Sequence, residues 1–208
     1  MKYTCGTNNE VVDISLPDGK NKTILFAISG GADSAILLYI LAKMNQEMKT
    51  GHTFVPFTVP RPDGGAGYSP KIVSWIANKL KIELPEPIIV GDGNLPHNIV
   101  VKVVIAKLMS SNKYDYLYVA ENKIPPVIIE GLAPIRASQP KFKRTALPFW
   151  GVTKDCSIDL YYKEDIPELL ELTHSCTELV NERCNKCFQC NERSWAFSKL
   201  GITDPGTT

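Results

Sequence analysis

The sequence predicts an α/β fold in which helices cover both faces of a parallel sheet. Short apolar runs rich in strand-forming residues alternate with longer segments of helical periodicity, which is typical of sheets built from successive β–α–β units. The first run, residues 23–28, is continuously apolar, as expected for a strand buried on both faces. With 208 residues, 44% of them hydrophobic and 22% charged, the chain is long enough to bury the core of one globular domain.

The order of the elements follows from the same periodicities. A Gly-containing loop comes after the first strand, and Asp33 and Ser34 indicate the start of a helix over residues 33–44. Pro56 weakens the second predicted strand, because proline cannot donate a hydrogen bond to a sheet. We expect irregular structure over residues 121–145. The remaining predicted strands are residues 53–59, 87–90 and 116–120, and the remaining helices are residues 69–82, 98–109, 164–172 and 192–200.

The loop after the first strand predicts a phosphate-binding site. Its two glycines let backbone N–H groups approach an anion, its two serines add hydroxyl donors, and the following helix adds a favourable dipole. The Walker-type loop is absent from this position, so phosphate would be bound by a different kind of loop. Asp33 would either cap the helix or meet Mg²⁺ carried by a nucleotide. The predicted site consists of Ser29, Gly30, Gly31, Ala32, Asp33 and Ser34.

Four cysteines within fifteen residues predict a metal site near the C-terminus: Cys176, Cys184, Cys187 and Cys190. Four thiolates complete the tetrahedral ligand set of structural Zn²⁺. An iron–sulfur cluster is the rival, but the bacterial ferredoxin run continues with a further Cys-Pro that does not follow Cys190. We therefore favour Zn²⁺ over iron–sulfur. Cys5 and Cys156 stand apart and are expected to be buried or incidental thiols.

Charge and hydropathy bear on partners and location. The formal net charge is +1, so no overall attraction to nucleic acid or membranes is expected. The N-terminus has no apolar signal-peptide core, and the longest apolar run, residues 35–42, is too short to span a bilayer. A basic stretch, Arg136 to Arg144, is expected to be a solvated loop rather than a nucleic-acid contact. We expect a soluble cytoplasmic protein.

The loop Ser29-Gly30-Gly31-Ala32-Asp33-Ser34 resembles the S-G-G-x-D-S signature of the PP-loop ATP pyrophosphatases. The C-terminal part, from Thr173-His174-Ser175-Cys176 to Gly201-Ile202-Thr203-Asp204-Pro205, is similar to one family among them, 7-cyano-7-deazaguanine synthase. The resemblance implies a PP-loop α/β domain over residues 1–155 and a helical zinc-binding segment over residues 156–208, packed as one unit. It also implies a homodimer.

The resemblance implies an ATP-dependent ligase that converts 7-carboxy-7-deazaguanine to its nitrile with ammonia, for queuosine-type deazapurine biosynthesis. ATP and Mg²⁺ would bind at the loop, with Ser29, Asp33 and Ser34 as its catalytic side chains. The four cysteines would hold Zn²⁺ as a structural ion. Lys154 or Lys163 would match the family's phosphate-contacting lysine.

The departures from the family lie on the substrate side. Residues 58–64, 95–98 and 122–126 lack several of the family's polar residues, so a different acyl substrate is one alternative. A PP-loop tRNA thiolase, in which sulfur attacks the adenylate, is a second. A nucleotide- or deazapurine-binding module without turnover is a third. His97 and His174 are expected to be structural rather than catalytic, because neither has a recognisable acid partner in the sequence.

Overall fold

The computed structural model describes residues 1–125 and 144–206. The strands are β1 Lys2–Cys5, β2 Glu10–Asp13, β3 Thr23–Ala27, β4 Thr53–Thr58, β5 Ile88–Ile89, β6 Tyr116–Tyr118 and β7 Thr145–Ala146. The α-helices are α1 Ala32–Met48, α2 Ser69–Leu80, α3 His97–Ser110, α4 Lys154–Lys163 and α5 Phe188–Leu200, and 3₁₀ helices cover Gly65–Tyr68 and Pro167–Leu172.

Five strands form a parallel sheet in the order β5-β4-β3-β6-β7, which confirms the predicted fold class. The chain runs from β3 outward to β5 and then returns through α3 to β6 on the other side of β3. Pro56 is tolerated in β4 because the ladder to β5 begins only at Phe57, so the missing N–H costs no bond to that neighbour.

Helices cover both faces of the sheet, as predicted. Ile24 and Phe26 of β3 belong to the larger core, which contains most of α1 and parts of α2, α4 and α5. Leu25 points to the opposite face and packs in a smaller core with Val100 and Val104 of α3. The α1 helix is buried almost all round between Ala32 and Met44, which explains its nearly continuous apolar sequence.

Several elements were not predicted from the sequence. β1 and β2 form an antiparallel hairpin, and Cys5 of this hairpin is bonded to Cys156 of α4, so the expectation of two separate thiols is wrong. The predicted helix over residues 164–172 begins as a 3₁₀ helix only at Pro167, because Asp165 adopts a left-handed conformation with φ of 56° after the end of α4.

The expected boundary between residues 155 and 156 falls inside α4, and the larger core draws residues from both sides of it. Among the described residues, no helix is both long enough and apolar enough to cross a bilayer. Of the basic stretch, only Arg144 lies within the described residues; Arg136, Lys141 and Lys143 lie outside them.

Candidate nucleotide and metal sites

The predicted phosphate loop lies between the carboxyl end of β3 and the start of α1. This is where the strand order reverses, since β4 and β6 flank β3 on opposite sides, and such switch points form ligand-binding crevices in open α/β sheets. Gly30 adopts a φ of 83°, and a Cβ atom there would lie 2.2 Å from the Gly65 carbonyl oxygen. Only glycine therefore permits this close approach of the two loops.

Hydroxyl groups organise the inside of the loop. The Ser34 Oγ accepts from the Ser29 backbone N–H at 3.2 Å and donates to the Gly31 carbonyl at 3.1 Å. The Ser29 Oγ lies 3.2 Å from the Ser34 Oγ and accepts from the Gly31 N–H. The α1 helix has Gly31 as its N-cap and no side-chain cap, so the amides of its first turn are not satisfied by a capping side chain. Asp33 therefore does not cap the helix.

Asp33 instead lies in a polar network beneath the loop. Its carboxylate accepts hydrogen bonds from the Lys154 ammonium and, at 2.6 Å, from the Ser157 hydroxyl. When the Asn122 amide is oriented so that both of its ends are satisfied, its nitrogen donates to the two Asp33 oxygens at 3.0 and 3.2 Å. Asn122 follows β6, whereas Lys154 and Ser157 come from α4, so three separate segments meet at this carboxylate.

Lys154 is the buried cation of this network. Its side chain is 6% exposed and also pairs with Glu192 of α5, at 3.2 Å. Burial alone would lower the pKa of Lys154, but the Asp33 and Glu192 carboxylates outweigh that effect and raise it. The alternative lysine, Lys163, lies at the far end of α4 and pairs with Asp159 near the surface. Of the two alignments, the structure brings only Lys154 to the loop.

A second charged pair lies beside the loop. The Arg61 guanidinium contacts the buried Asp63 carboxylate at 2.8 Å, and Asp63 also accepts from the Gly65 N–H at 2.7 Å. Burial, together with the nearby Arg61 charge, lowers the pKa of His97 to about 4, so its ring is neutral at pH 7. The structure thus places charged residues in one of the segments where the sequence departs from the synthase family.

The four cysteines predicted to bind metal come together. Their sulfur atoms all lie within 4.8 Å of one another. Backbone N–H groups of residues 178 and 179 donate to the Cys176 sulfur, and those of residues 186 and 187 donate to the Cys184 sulfur. Burial raises the pKa of Cys187, but hydrogen bonds from backbone groups outweigh it and give a pKa of about 7. Such N–H donors stabilise thiolates.

The donor set fits a single tetrahedral ion. Zn–S bonds of about 2.3 Å imply sulfur atoms about 3.8 Å apart, so a shift of about 1 Å or less would bring these sulfurs to a shared ion. A 4Fe–4S cluster places each cysteine on a different iron atom and therefore needs wider sulfur separations than one shared ion does. The four cysteines therefore form a group that could hold a metal ion.

A buried ion-pair network anchors the metal-binding segment. Arg193 has no exposed surface, and its guanidinium donates to both Asp204 oxygens, at 2.7 and 2.8 Å. Arg193 also donates to the Thr173 hydroxyl at 2.7 Å, and Arg183 donates to Asp204. The segment before Cys176, the loop between the cysteines, α5 and the C-terminal residues therefore share one network.

His174 contributes through its backbone and its ring. Its N–H donates to the Gly30 carbonyl at 2.9 Å, which ties the segment before the first cysteine to the phosphate loop. Its ring stacks on Tyr68 with centroids 4.8 Å apart. Burial lowers the pKa of His174.

No protein-family model and no curated protein sequence matches the chain. Among solved structures, a U34-tRNA thiolase, NcsA from Methanococcus maripaludis with its 4Fe–4S cluster, is similar with 18% sequence identity and a TM-score of 0.48. The alignment covers 86% of this chain and 64% of the thiolase, so the chain spans less than two thirds of that protein. At this identity, the tRNA substrate and the 4Fe–4S cluster are properties of the thiolase and are not assigned to this chain.

Proposed function

We propose that this chain is an ATP-dependent enzyme that adenylates an oxygen of its substrate at the loop between β3 and α1. The observation that carries the proposal is the composition of this loop. Two serine hydroxyls, two glycines and the α1 amides without a side-chain cap lie together where the strand order of the sheet reverses. Backbone amides at a helix N-terminus bind phosphate without unpaired charge on the protein. The buried Lys154 behind the loop adds a cation.

The residues of the loop have distinct roles in this proposal. Ser29, Gly30, Gly31, Ala32 and Ser34 hold the pyrophosphate part of ATP through amides and hydroxyls, while Lys154 neutralises charge that develops on the leaving group. Asp33 would hold the Mg²⁺ that accompanies the nucleotide, and the ion would offset phosphate charge there. The hydrogen bonds from Lys154 and Ser157 fix the orientation of the Asp33 carboxylate.

We further propose that the reaction forms a carbon–nitrogen bond, with 7-carboxy-7-deazaguanine as substrate and ammonia as nitrogen donor. A carboxylate oxygen attacks the α-phosphorus, and the bond to the β-phosphate oxygen breaks and releases pyrophosphate. Ammonia then attacks the acyl carbon and AMP leaves with the oxygen, which gives an amide. A second ATP activates the amide oxygen in the same way, and loss of AMP and of both N–H protons leaves the nitrile.

The cysteines support a nitrogen donor over sulfur carried on a free thiol. Four of the six cysteines form the metal cluster, and Cys5 and Cys156 are bonded to each other. Zn²⁺ at the cluster would be a structural ion, because four protein ligands leave no position for substrate. Arg61, whose guanidinium lies beside Gly65, is a cation that could pair with the substrate carboxylate.

The test is a pyrophosphate-release assay on purified protein with ATP, Mg²⁺ and ammonium, with and without 7-carboxy-7-deazaguanine. We expect release that depends on the acid, and mass spectrometry should detect the amide and the nitrile. Metal analysis of the same sample should find about one Zn²⁺ per chain. Ser34→Ala, which removes the hydroxyl that links both ends of the loop, is the matched inactive variant.

Other outcomes discriminate between the alternatives. Release that requires a sulfur donor and an RNA substrate, with no response to the deazapurine acid, would replace the ligase by a thiolase. ATP binding without release under either condition would identify a binding module. The absence of ATP binding would refute the proposal as a whole.

A further inference from the structure

The metal cluster and the phosphate loop are joined by a short chain of buried charges. Cys187 is the N-cap of α5 and Cys190 lies in its first turn, so two of the four metal ligands fix the start of this helix. Glu192, two residues further along, is 3% exposed and contacts Lys154 at 3.2 Å. Lys154 in turn contacts Asp33 in the first turn of α1. Only two ion pairs therefore separate the metal-binding helix from the nucleotide loop.

Glu192 is an unusual residue for this position. One of its oxygens, Oε1, is buried and has no hydrogen-bond partner within the described part of the chain. A buried carboxylate oxygen without a partner is costly, and its presence calls for an explanation beyond packing. No synthase-like feature of the sequence requires it, since the resemblance around the cysteines depends on Cys190 and Arg193 rather than on the two residues between them.

We propose that Glu192 couples the two sites, so that metal binding at the four cysteines and nucleotide binding at the loop strengthen each other. A bound metal fixes the first turn of α5 and thereby holds Glu192 against Lys154. Lys154 is then held in position for the phosphates and orients Asp33. Without the metal, this turn loses its ligand bonds, and Glu192 is held less firmly against Lys154. Glu192 is thus a positioning residue that acts through Lys154.

The inference rests on the proposed function, since it takes ATP as the ligand of the loop. Thermodynamic linkage requires that the factor by which metal improves nucleotide affinity equals the factor by which nucleotide improves metal affinity. Coupling between sites of this kind commonly amounts to about five-fold or more. The same factor can therefore be measured from either side, and neither measurement depends on turnover.

The experiment uses the full chain and three proteins: the wild type, Glu192→Gln and the control Glu178→Gln. Glu178 is an exposed residue between Cys176 and Cys184. Glu178→Gln therefore removes one negative charge, as Glu192→Gln does, without affecting the contact with Lys154. Glu192→Gln keeps the volume of the side chain, and α4 and α5 remain linked by Lys199 and Asp155, at 3.0 Å. Circular dichroism verifies that each protein is folded.

Two dissociation constants are measured for each protein. The first is that of α,β-methylene-ATP with Mg²⁺, by calorimetry on Zn²⁺-loaded and chelator-treated protein. The second is that of Zn²⁺, by competition with a chromophoric chelator with and without the same nucleotide, and circular dichroism of the metal-free end point verifies that it remains folded.

We expect a coupling factor of at least about five-fold in the wild type and in Glu178→Gln, and of less than about two-fold in Glu192→Gln. An equal factor in all three proteins, or a factor near one in the wild type, would overturn the inference and leave the proposed function intact. If loaded wild-type protein binds no nucleotide, the proposed function itself fails and the inference fails with it.

Discussion

Replacing Asp204 by Asn should destabilise the protein by an amount that depends on pH. Burial alone would raise the pKa of Asp204, but hydrogen bonds from Arg193 and Arg183 outweigh it and lower the pKa from 3.8 to about 2. At 1.36 kcal/mol per pKa unit, this shift corresponds to about 2 kcal/mol of folding stability at neutral pH. The variant also leaves the Arg193 charge buried without its acid, which raises the expected loss at pH 7 to about 3–5 kcal/mol.

The sign of the pH dependence follows from the lowered pKa. The Asp204 contribution is present above the unfolded pKa of 3.8 and is lost as the pH falls through about 2. The free energies of unfolding of wild type and Asp204→Asn should therefore converge by about 2 kcal/mol between pH 5 and pH 2.

The assay is urea unfolding followed by tryptophan fluorescence at a series of pH values. Every sample contains a chelator, because acid releases metal from thiolates and would otherwise add its own pH dependence. Asp18→Asn, in the exposed loop between β2 and β3, serves as the control and should give a difference from wild type that does not vary with pH. If the difference for Asp204→Asn were also constant from pH 5 to pH 2, the argument that Arg193 and Arg183 stabilise an ionised Asp204 would be refuted.

Three further substitutions test the site. Gly30→Ala should weaken ATP binding at least about ten-fold, because the added Cβ would clash with the Gly65 carbonyl oxygen and the backbone would be strained. The control Gly67→Ala should bind ATP like the wild type, since no atom lies within 4 Å of the added Cβ. Lys154→Met should abolish pyrophosphate release. It should also lower the free energy of unfolding by about 3–5 kcal/mol, since it leaves the Asp33 and Glu192 carboxylates without their cation. A variant as stable as the wild type in urea unfolding would contradict this. Cys5→Ser should destabilise oxidised protein by about 5 kcal/mol, because the bond closes a loop of 151 residues, and should have little effect under reductant. A loss of the same size in both conditions would argue against the bond.

The amino-acid sequence determined the architecture to a large extent. Continuous apolar strands and helical periodicities were sufficient to predict the parallel sheet and its two layers of helices. A strand that is buried on both faces has a continuously apolar sequence, which can be recognised directly. The phosphate loop and the cysteine cluster were also visible, since each is formed by residues close together in the chain. The N-terminal hairpin was missed, because four-residue strands carry too little periodicity to distinguish them from a loop.

The α4 helix illustrates what periodicity could not predict. Its buried face carries Lys154 and Ser157 together with Ile158 and Tyr161. These polar residues interrupt the apolar periodicity by which an amphipathic helix is predicted. A signal was nevertheless present, because a charged residue in line with buried apolar ones at helical spacing indicates a buried partner. Glu192 of α5 shows the same pattern between Phe188 and Ala196.

Only the tertiary structure decided which of these groups meet. Asp33, Asn122, Lys154 and Glu192 lie up to 159 residues apart in the sequence. They converge because α1, the segment after β6, α4 and α5 present them beneath one loop. The pairing of Cys5 with Cys156 has the same origin. Local patterns determine elements and sites formed by neighbouring residues, whereas contacts between distant residues depend on how the sheet and helices pack, which no local pattern encodes.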